Sequence, residues 1–253
     1  MAKTSIGICF CLLLACVAGA DGRRADTIKI ALSEDFEPWS WESGTSVRGL
    51  ARDMLEQILT TRMHITTRFD GYPWARAQAL SFDGQADAIC TAVTPKRLET
   101  LMASSLPVVS IPIRIFARND SDLLVRLRKI DRLETLNAAP LQFLTYTGSG
   151  WARENLNPSK TDMTGNLSQV LEKLASGRGD VLVENIAVVR NYLRKHEFRG
   201  RIVELPLTLD SLRFHFLVNR SSPFAQNLSE FDREFAAFRK TKAYRNILAR
   251  YGL

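Results

Sequence analysis

The chain has 253 residues, 45% hydrophobic and 24% charged, with a formal net charge of +7. That length holds one large domain or two small ones with ample core, and the composition excludes a disordered chain. The basic clusters Arg126-Leu127-Arg128-Lys129 and Arg239-Lys240-Thr241-Lys242 are interrupted and fit solvated helix faces, so nucleic acid is not an expected partner.

Lys3, the apolar run Ile6 to Val17 and the small residues Ala18-Gly19-Ala20 read as a secretory signal peptide over residues 1–20. Such a segment directs export of the chain and is then removed. Leu13-Leu14-Ala15-Cys16 loosely resembles a lipoprotein cleavage site, which leaves lipid anchoring at Cys16 as the alternative. No later segment has the eighteen consecutive apolar residues that a membrane span needs. Cys9, Cys11 and Cys16 fall in the signal, so Cys90 is left without an internal partner and reads as a buried, inert thiol.

Thr27 to Leu32 alternates like a first strand, and Ser33 to Arg48 reads as a polar, aromatic loop. Gly49 opens a helix whose Leu50, Met54, Leu55, Ile58 and Leu59 share one face. A strand over His64 to Phe69, a helix from Pro73 to about Phe82 and a strand over Ala86 to Ala92 complete β-α-β-α-β, a pattern for a parallel sheet. The chain then passes through Ile113 to Ala117 and the polar Arg118-Asn119-Asp120-Ser121. A second unit follows: strand Leu141 to Thr145, helices Gly150 to Asn155 and Leu167 to Ala175, strand Asp180 to Val183, helix Ile186 to Arg194, and strand Ile202 to Leu205. Phe214 to Val218 is a returning strand. Phe224, Leu228, Phe231, Phe235 and Phe238 then form the apolar stripe of a last helix packed on the first unit.

One phrase occurs in both units. Gly84-Gln85-Ala86-Asp87 runs into Ala88-Ile89-Cys90, and Gly177-Arg178-Gly179-Asp180 runs into Val181-Leu182-Val183. In each, a helix ends at Gly and a strand follows a short turn carrying Asp. The repetition points to two similarly built lobes: residues 21–117 with 214–253, and residues 118–213.

Ligands of open α/β sheets bind at the carboxyl ends of strands. Trp39 and Trp41 follow the first strand, Trp74 the second, and Trp151 the first strand of the second lobe, which suits aromatic walls of a polar cleft. Thr94-Pro95-Lys96-Arg97 reads as a helix cap, a proline at the first position and a first turn, where Arg97 can take a carboxylate bidentately. Thr145-Tyr146-Thr147-Gly148-Ser149-Gly150-Trp151 is the matching place in the second lobe, and Glu184-Asn185 ends the strand after the second Gly-Asp phrase. His64, His196 and His215 are isolated, and no metal, cofactor, nucleotide or nucleophile motif occurs, so no catalytic residue, metal or cofactor is assigned.

Four segments together resemble the bacterial extracellular solute-binding proteins of family 3. They are Gly49-Leu50-Ala51-Arg52-Asp53-Met54-Leu55, Pro73-Trp74-Ala75-Arg76-Ala77 with Gly84 and Asp87, Thr94-Pro95-Lys96-Arg97, and Tyr244 to Gly252. The resemblance spans residues 27–252. It implies a two-lobed periplasmic-binding-protein (type II) fold, α/β, with a hinged cleft, and a monomer that gives up a small solute to an ABC permease in the inner membrane. Arg97 would grip the ligand's carboxylate, Trp39 or Trp41 would cover it, and Thr147 and Ser149 would add donors. The acidic residue that receives the ammonium in amino-acid binders aligns with Asn185, and hydroxyls usual before the T-x-x-R element fall at Cys90 and Ala92. The hinge is expected near Ala117–Ser121 and Thr208–Arg213. Two other functions fit the resemblance: a cyclohexadienyl-dehydratase-like enzyme with Glu184 as general acid, and a receptor feeding a membrane sensor.

Overall fold

The computed structural model describes residues 27–195, 198 and 200–253, so the expected signal peptide and Cys16 lie outside the described residues. The first half runs β1 (Thr27–Ser33), β2 (Asp35–Phe36), β3 (Ser40–Ser43), β4 (Ser46–Arg48), α1 (Leu50–Glu56), β5 (Thr66–Tyr72), α2 (Trp74–Phe82), β6 (Ala88–Ala92), α3 (Pro95–Thr100), β7 (Leu101–Ala103) and β8 (Val109–Arg118). There follow α4 (Leu124–Leu127), α5 (Leu133–Ala138), β9 (Phe143–Tyr146), α6 (Gly150–Asn155), β10 (Thr161–Thr164), α7 (Leu167–Ala175), β11 (Val181–Asn185), α8 (Ile186–Lys195), β12 (Ile202–Asn219), α9 (Leu228–Phe238) and α10 (Lys242–Arg250).

The strands β10-β9-β11-β8-β12-β6-β1-β5 form one mixed sheet, with β7 also on β12. Each end is parallel: β1 pairs with β5 and β6, and β9 with β10 and β11. Helical crossovers impose that direction on each lobe. The two ends are joined by β8 and β12, which run antiparallel to each other and to β11 and β6.

β12 is a single strand of 18 residues where two separate strands were expected. The interruption in the sequence is Pro206 with the polar residues after it. Its ladder with β8 shifts register between Glu204 and Thr208 and again before Asp210, so the proline sits at a bulge, where no ladder bond is demanded of it. Ile113 to Asn185 pairing places β8 residues Ile113–Ala117 against β11, and β12 residues Phe214–Val218 lie against β6. The boundary expected after Ala117 lies at the end of that run. On these pairings we propose that the crossings lie at Ser110–Pro112 and Ser211–Arg213.

The expected loop over Ser33 to Arg48 contains a small sheet, β2-β3-β4, with Trp41 opposite both Asp35 and Arg48. Its strands are too short to show a period in sequence. The strand expected from His64 begins instead at Thr66, because α1 continues as a wider helical turn through Arg62 and His64 takes φ 57° just beyond it.

The repeated Gly-Asp phrase does the same work in both lobes. Gly84 and Gly177 take φ of +73° and +72° past α2 and α7. Asp87 exchanges bonds with Lys29: its N–H donates to the Lys29 carbonyl and its carboxylate accepts the Lys29 N–H, both at 2.8 Å. Asp180 does so with Gln142, at 2.9 and 2.7 Å. Each Asp thus ties the third strand of its lobe to the start of the first. Asp87 also accepts from the Ser222 hydroxyl at 2.7 Å. Asp87→Ala is expected to cost about 2 kcal/mol, since it strands a strand-end N–H and a hydroxyl; chemical unfolding within about 0.5 kcal/mol of the parent would refute that role.

One apolar cluster runs through both lobes, from Ile30 and Leu55 to Leu144 and Leu174. A second lies on the other face of lobe two around Ile115, Phe143 and Val183, and a third under α2 around Ala77, Ile89 and Leu217. The stripe of α9 is core: Phe231 is 4.6 Å from Phe216 of β12, and Phe235 and Phe238 are buried beside it. Asp53 fixes α10, accepting from Tyr251 Oη at 2.9 Å and from Arg250 at 2.7 Å. No helix among the described residues is long and apolar enough to cross a membrane.

Candidate functional site

A cavity of about 580 Å³ opens between the lobes at strand ends. Lobe one contributes Ser33 at the end of β1, Asp35, Phe36, Glu37 and Trp39 from the segment after it, Trp74 from the start of α2, and Cys90 and Thr91 from β6. Lobe two contributes Tyr146 at the end of β9, Gly148 just after it, Leu167 from α7 and Val188 from α8; Phe214 closes the lining beside the crossing. The volume suits a small solute.

Trp39 is a fixed wall. Its Nε1–H donates to the Cys90 carbonyl at 3.2 Å, and its ring lies 4.4 Å from that of Phe214. Burial pushes the Cys90 thiol well above its ordinary range, as for an inert packing group. Trp74 is half-buried and lines the cavity. Trp41 lies outside the lining, on β3. Trp151 is also outside it: the ring packs in the second cluster of lobe two, and its Nε1–H donates to Asp210 Oδ2 at 2.6 Å.

Thr94 caps α3, its hydroxyl accepting the Arg97 N–H at 3.3 Å, with Pro95 in the first turn. The Arg97 guanidinium stands against the Trp74 ring, 5.4 Å from its centroid, within cation–π range. Nε and Nη2 donate to Gln78 Oε1 at 3.2 and 2.8 Å, and Nη1 donates to the Ala92 carbonyl at 2.7 Å. A guanidinium has five N–H donors, so this arrangement orients the group and leaves two of them. Partial burial lowers its pKa without removing its charge. Arg97 is next to the cavity through Trp74 and is not itself part of the lining.

In lobe two, Thr147 is exposed and its N–H donates to the Thr164 carbonyl at 3.0 Å. Ser149 is buried beside Glu184. Glu184 is 3% exposed; its Oε1 accepts the Asn185 backbone and side-chain N–H groups, both at 2.8 Å, and Oε2 has no hydrogen bond. Asn185 Oδ1 accepts the Val188 N–H at 3.0 Å and so caps α8. Neither residue is in the main lining.

Burial pushes the Glu184 carboxyl above its ordinary 4.5, against the nearby Ser149, Asn185 and Tyr146 groups, which lower it. Burial, and then the Glu184 charge, push the Tyr146 hydroxyl up. An acid with a raised native pKa holds more protons folded than unfolded, so its stabilising share is whole below 4.5 and is lost as pH climbs toward the native value. Glu184→Gln, which keeps an oxygen for Asn185, is expected to flatten that decline. Urea titrations at a series of pH values check this, and superimposable pH profiles would exclude it.

Sequence reasoning did not single out Asp35, Phe36 or Glu37, and reached Tyr146 only as part of the Thr145–Trp151 segment, although the strand-end rule that selected the tryptophans reaches all four. Leu167, Val188 and Phe214 carry no signal in sequence, since only the approach of two lobes makes them walls.

Two parallel lobes joined by two crossing strands, with a cavity at the strand ends between them, define a two-lobed solute-binding fold. A family model for bacterial extracellular solute-binding proteins, family 3, matches residues 28–253, and the chain belongs to that family. Among solved structures, substrate-binding domain 2 of Lactococcus lactis GlnP in an open conformation is 17% identical, covering 89% of this chain and 95% of its own, with a TM-score of 0.67. An ancestral cationic amino acid solute-binding protein is 19% identical over 89% and 95%, TM-score 0.66. A histidine kinase sensor domain with similarity to periplasmic binding proteins is 19% identical over 90% and 97%, TM-score 0.65. At these identities the likeness is one of fold. No curated protein sequence gives a significant match.

Proposed function

We propose that the chain is an exported, monomeric receptor that captures a small polar solute, an amino acid or a related carboxylate, and presents it to an ABC permease of the inner membrane. The observation that carries this reading is the cavity of about 580 Å³ with walls from both lobes. A solute bound there touches Trp39, Trp74 and Thr91 on one side and Tyr146 and Gly148 on the other. Only the closed arrangement offers both sets, so binding favours closure. Arg97, held by Gln78 and the Ala92 carbonyl, takes the ligand's carboxylate with its two remaining N–H groups. Family membership and the likeness to amino-acid-binding structures support the solute class. The likeness to a sensor domain makes a membrane sensor the alternative recipient.

The test is a thermal-shift screen of the mature chain against amino acids, amines and organic acids, followed by scattering. A ligand at a hundred times its Kd adds about 2.7 kcal/mol, which for a chain of this size raises Tm by about 5–11 °C. A smaller radius of gyration should accompany the shift. No stabilisation by any member of the screen would count against capture.

One observation favours a second reading. Glu184 is a buried carboxyl with a raised pKa and an unpartnered oxygen, one hydroxyl away from the cavity through Tyr146, as a general acid requires. Turnover of a prephenate-like acid, abolished in Glu184→Gln, is the result that would establish it.

A further inference from the structure

We propose that the lobe-one carboxylates Asp35 and Glu37 hold a cationic group of the ligand, so that the captured solute is an organic cation or is cationic at that end. This rests on the capture reading above and adds the charge of the solute and the residues that select it.

Asp35 and Glu37 are the charged side chains of the cavity lining among the described residues, and both are acidic, in a chain whose net charge is +7. The cavity thus runs against the balance of the whole molecule. The segment that bears them is held in place: Glu34 N–H donates to the Tyr72 carbonyl at 3.0 Å, Glu42 N–H to the Glu34 carbonyl at 2.9 Å, and Asp35 and Phe36 pair with Trp41 and Ser40. The Ser33 hydroxyl donates to Asp35 Oδ1 at 2.9 Å, which fixes the carboxylate and leaves Oδ2 for a ligand.

The remaining walls suit the same guest. Phe36, Trp74, Tyr146 and Phe214 line the cavity with rings, whose faces attract a desolvated cation. The opposite lobe brings no carboxylate into the lining, because Glu184 is bonded to Asn185 beneath the surface and Asn185 caps α8. Arg97 lies outside the lining, against Trp74, so its like charge does not share the acidic end. A solute with a cation at Asp35 and Glu37 and a carboxylate reaching Arg97 satisfies both ends.

The experiment is calorimetry on the mature chain with L-arginine, its decarboxylated analogue agmatine, and glutarate, which has carboxylates and no cation. Agmatine and arginine should bind, and glutarate should not. Asp35→Asn combined with Glu37→Gln should weaken agmatine at least about tenfold, the scale of one lost charge-assisted contact, whereas Arg97→Ala should weaken arginine more than it weakens agmatine. Glutarate binding as tightly as agmatine, or unchanged agmatine binding in the neutralised variant, overturns the proposal while leaving capture intact. Stabilisation by other solutes with no response to agmatine or arginine does the same. A screen without any binder removes the capture reading and this one with it. Should the neutralised variant not fold, the preference of the parent protein for agmatine over glutarate decides the matter.

Discussion

Arg97→Ala is expected to weaken ligand binding by about 30- to several-thousand-fold while the protein stays folded. Removing one partner of a desolvated charge pair costs about 2–5 kcal/mol, because the ligand's carboxylate is then left without its counter-charge. The loss to the fold is smaller, since the partners it leaves, Gln78 of α2 and the Ala92 carbonyl at the end of β6, are only partly buried and water replaces the donor. Arg97→Lys should fall between the two, keeping the charge and losing the planar fork. Calorimetry with the carboxylate-bearing solute that gives the largest thermal shift reads the effect, and an unchanged Kd in Arg97→Ala removes this side chain from the site.

Gly49→Ala is expected to damage stability and binding together. Gly49 takes φ 128° and ψ 172°, a region open to glycine and strained by about 1–3 kcal/mol for other residues. A Cβ there would also overlap the Trp39 carbonyl and the Ser40 backbone, neither of which is a flexible side-chain end. The close approach has a purpose. It lets the first turn of α1 lean on the loop that carries the cavity wall, with Leu50 N–H donating to the Pro38 carbonyl at 3.1 Å and Ala51 N–H to the Trp39 carbonyl at 3.0 Å. Strain and overlap together should cost about 3 kcal/mol or more, a fall in Tm of about 6–12 °C. Displacement of Trp39 should weaken the ligand as well. A Tm within about 2 °C of the parent, with binding intact, would show that the backbone relaxes at little cost.

The Asp87 and Glu184 variants report on other layers of the molecule. The first tests the tether that repeats in both lobes. The second tests whether a buried carboxyl beside the cavity carries its proton into the pH range where other glutamates have lost theirs.

Local chemistry determined much of this protein from sequence. α6 and α7 span Gly150–Asn155 and Leu167–Ala175 as expected, and α7 starts where the Asn166 side chain accepts the Gln169 N–H. Thr94 and Pro95 start α3 because a hydroxyl cap and a fixed φ act within one turn. The Gly-Asp phrase marked two like lobes because each Asp binds a strand start that its own lobe must bring beside it. Tertiary structure alone decided the rest. β12 is continuous across Pro206 because β8 supplies its partner, and β2-β3-β4 exist because each short strand has a neighbour. Trp39 and Trp74 face the cavity while Trp41 and Trp151 face other packing, a difference of orientation that spacing along the chain does not encode. Capping and periodicity are interactions over a few residues and so leave a pattern in the chain. A cavity is made by surfaces far apart in sequence, and its walls are known only once long-range pairing has set the two lobes against each other.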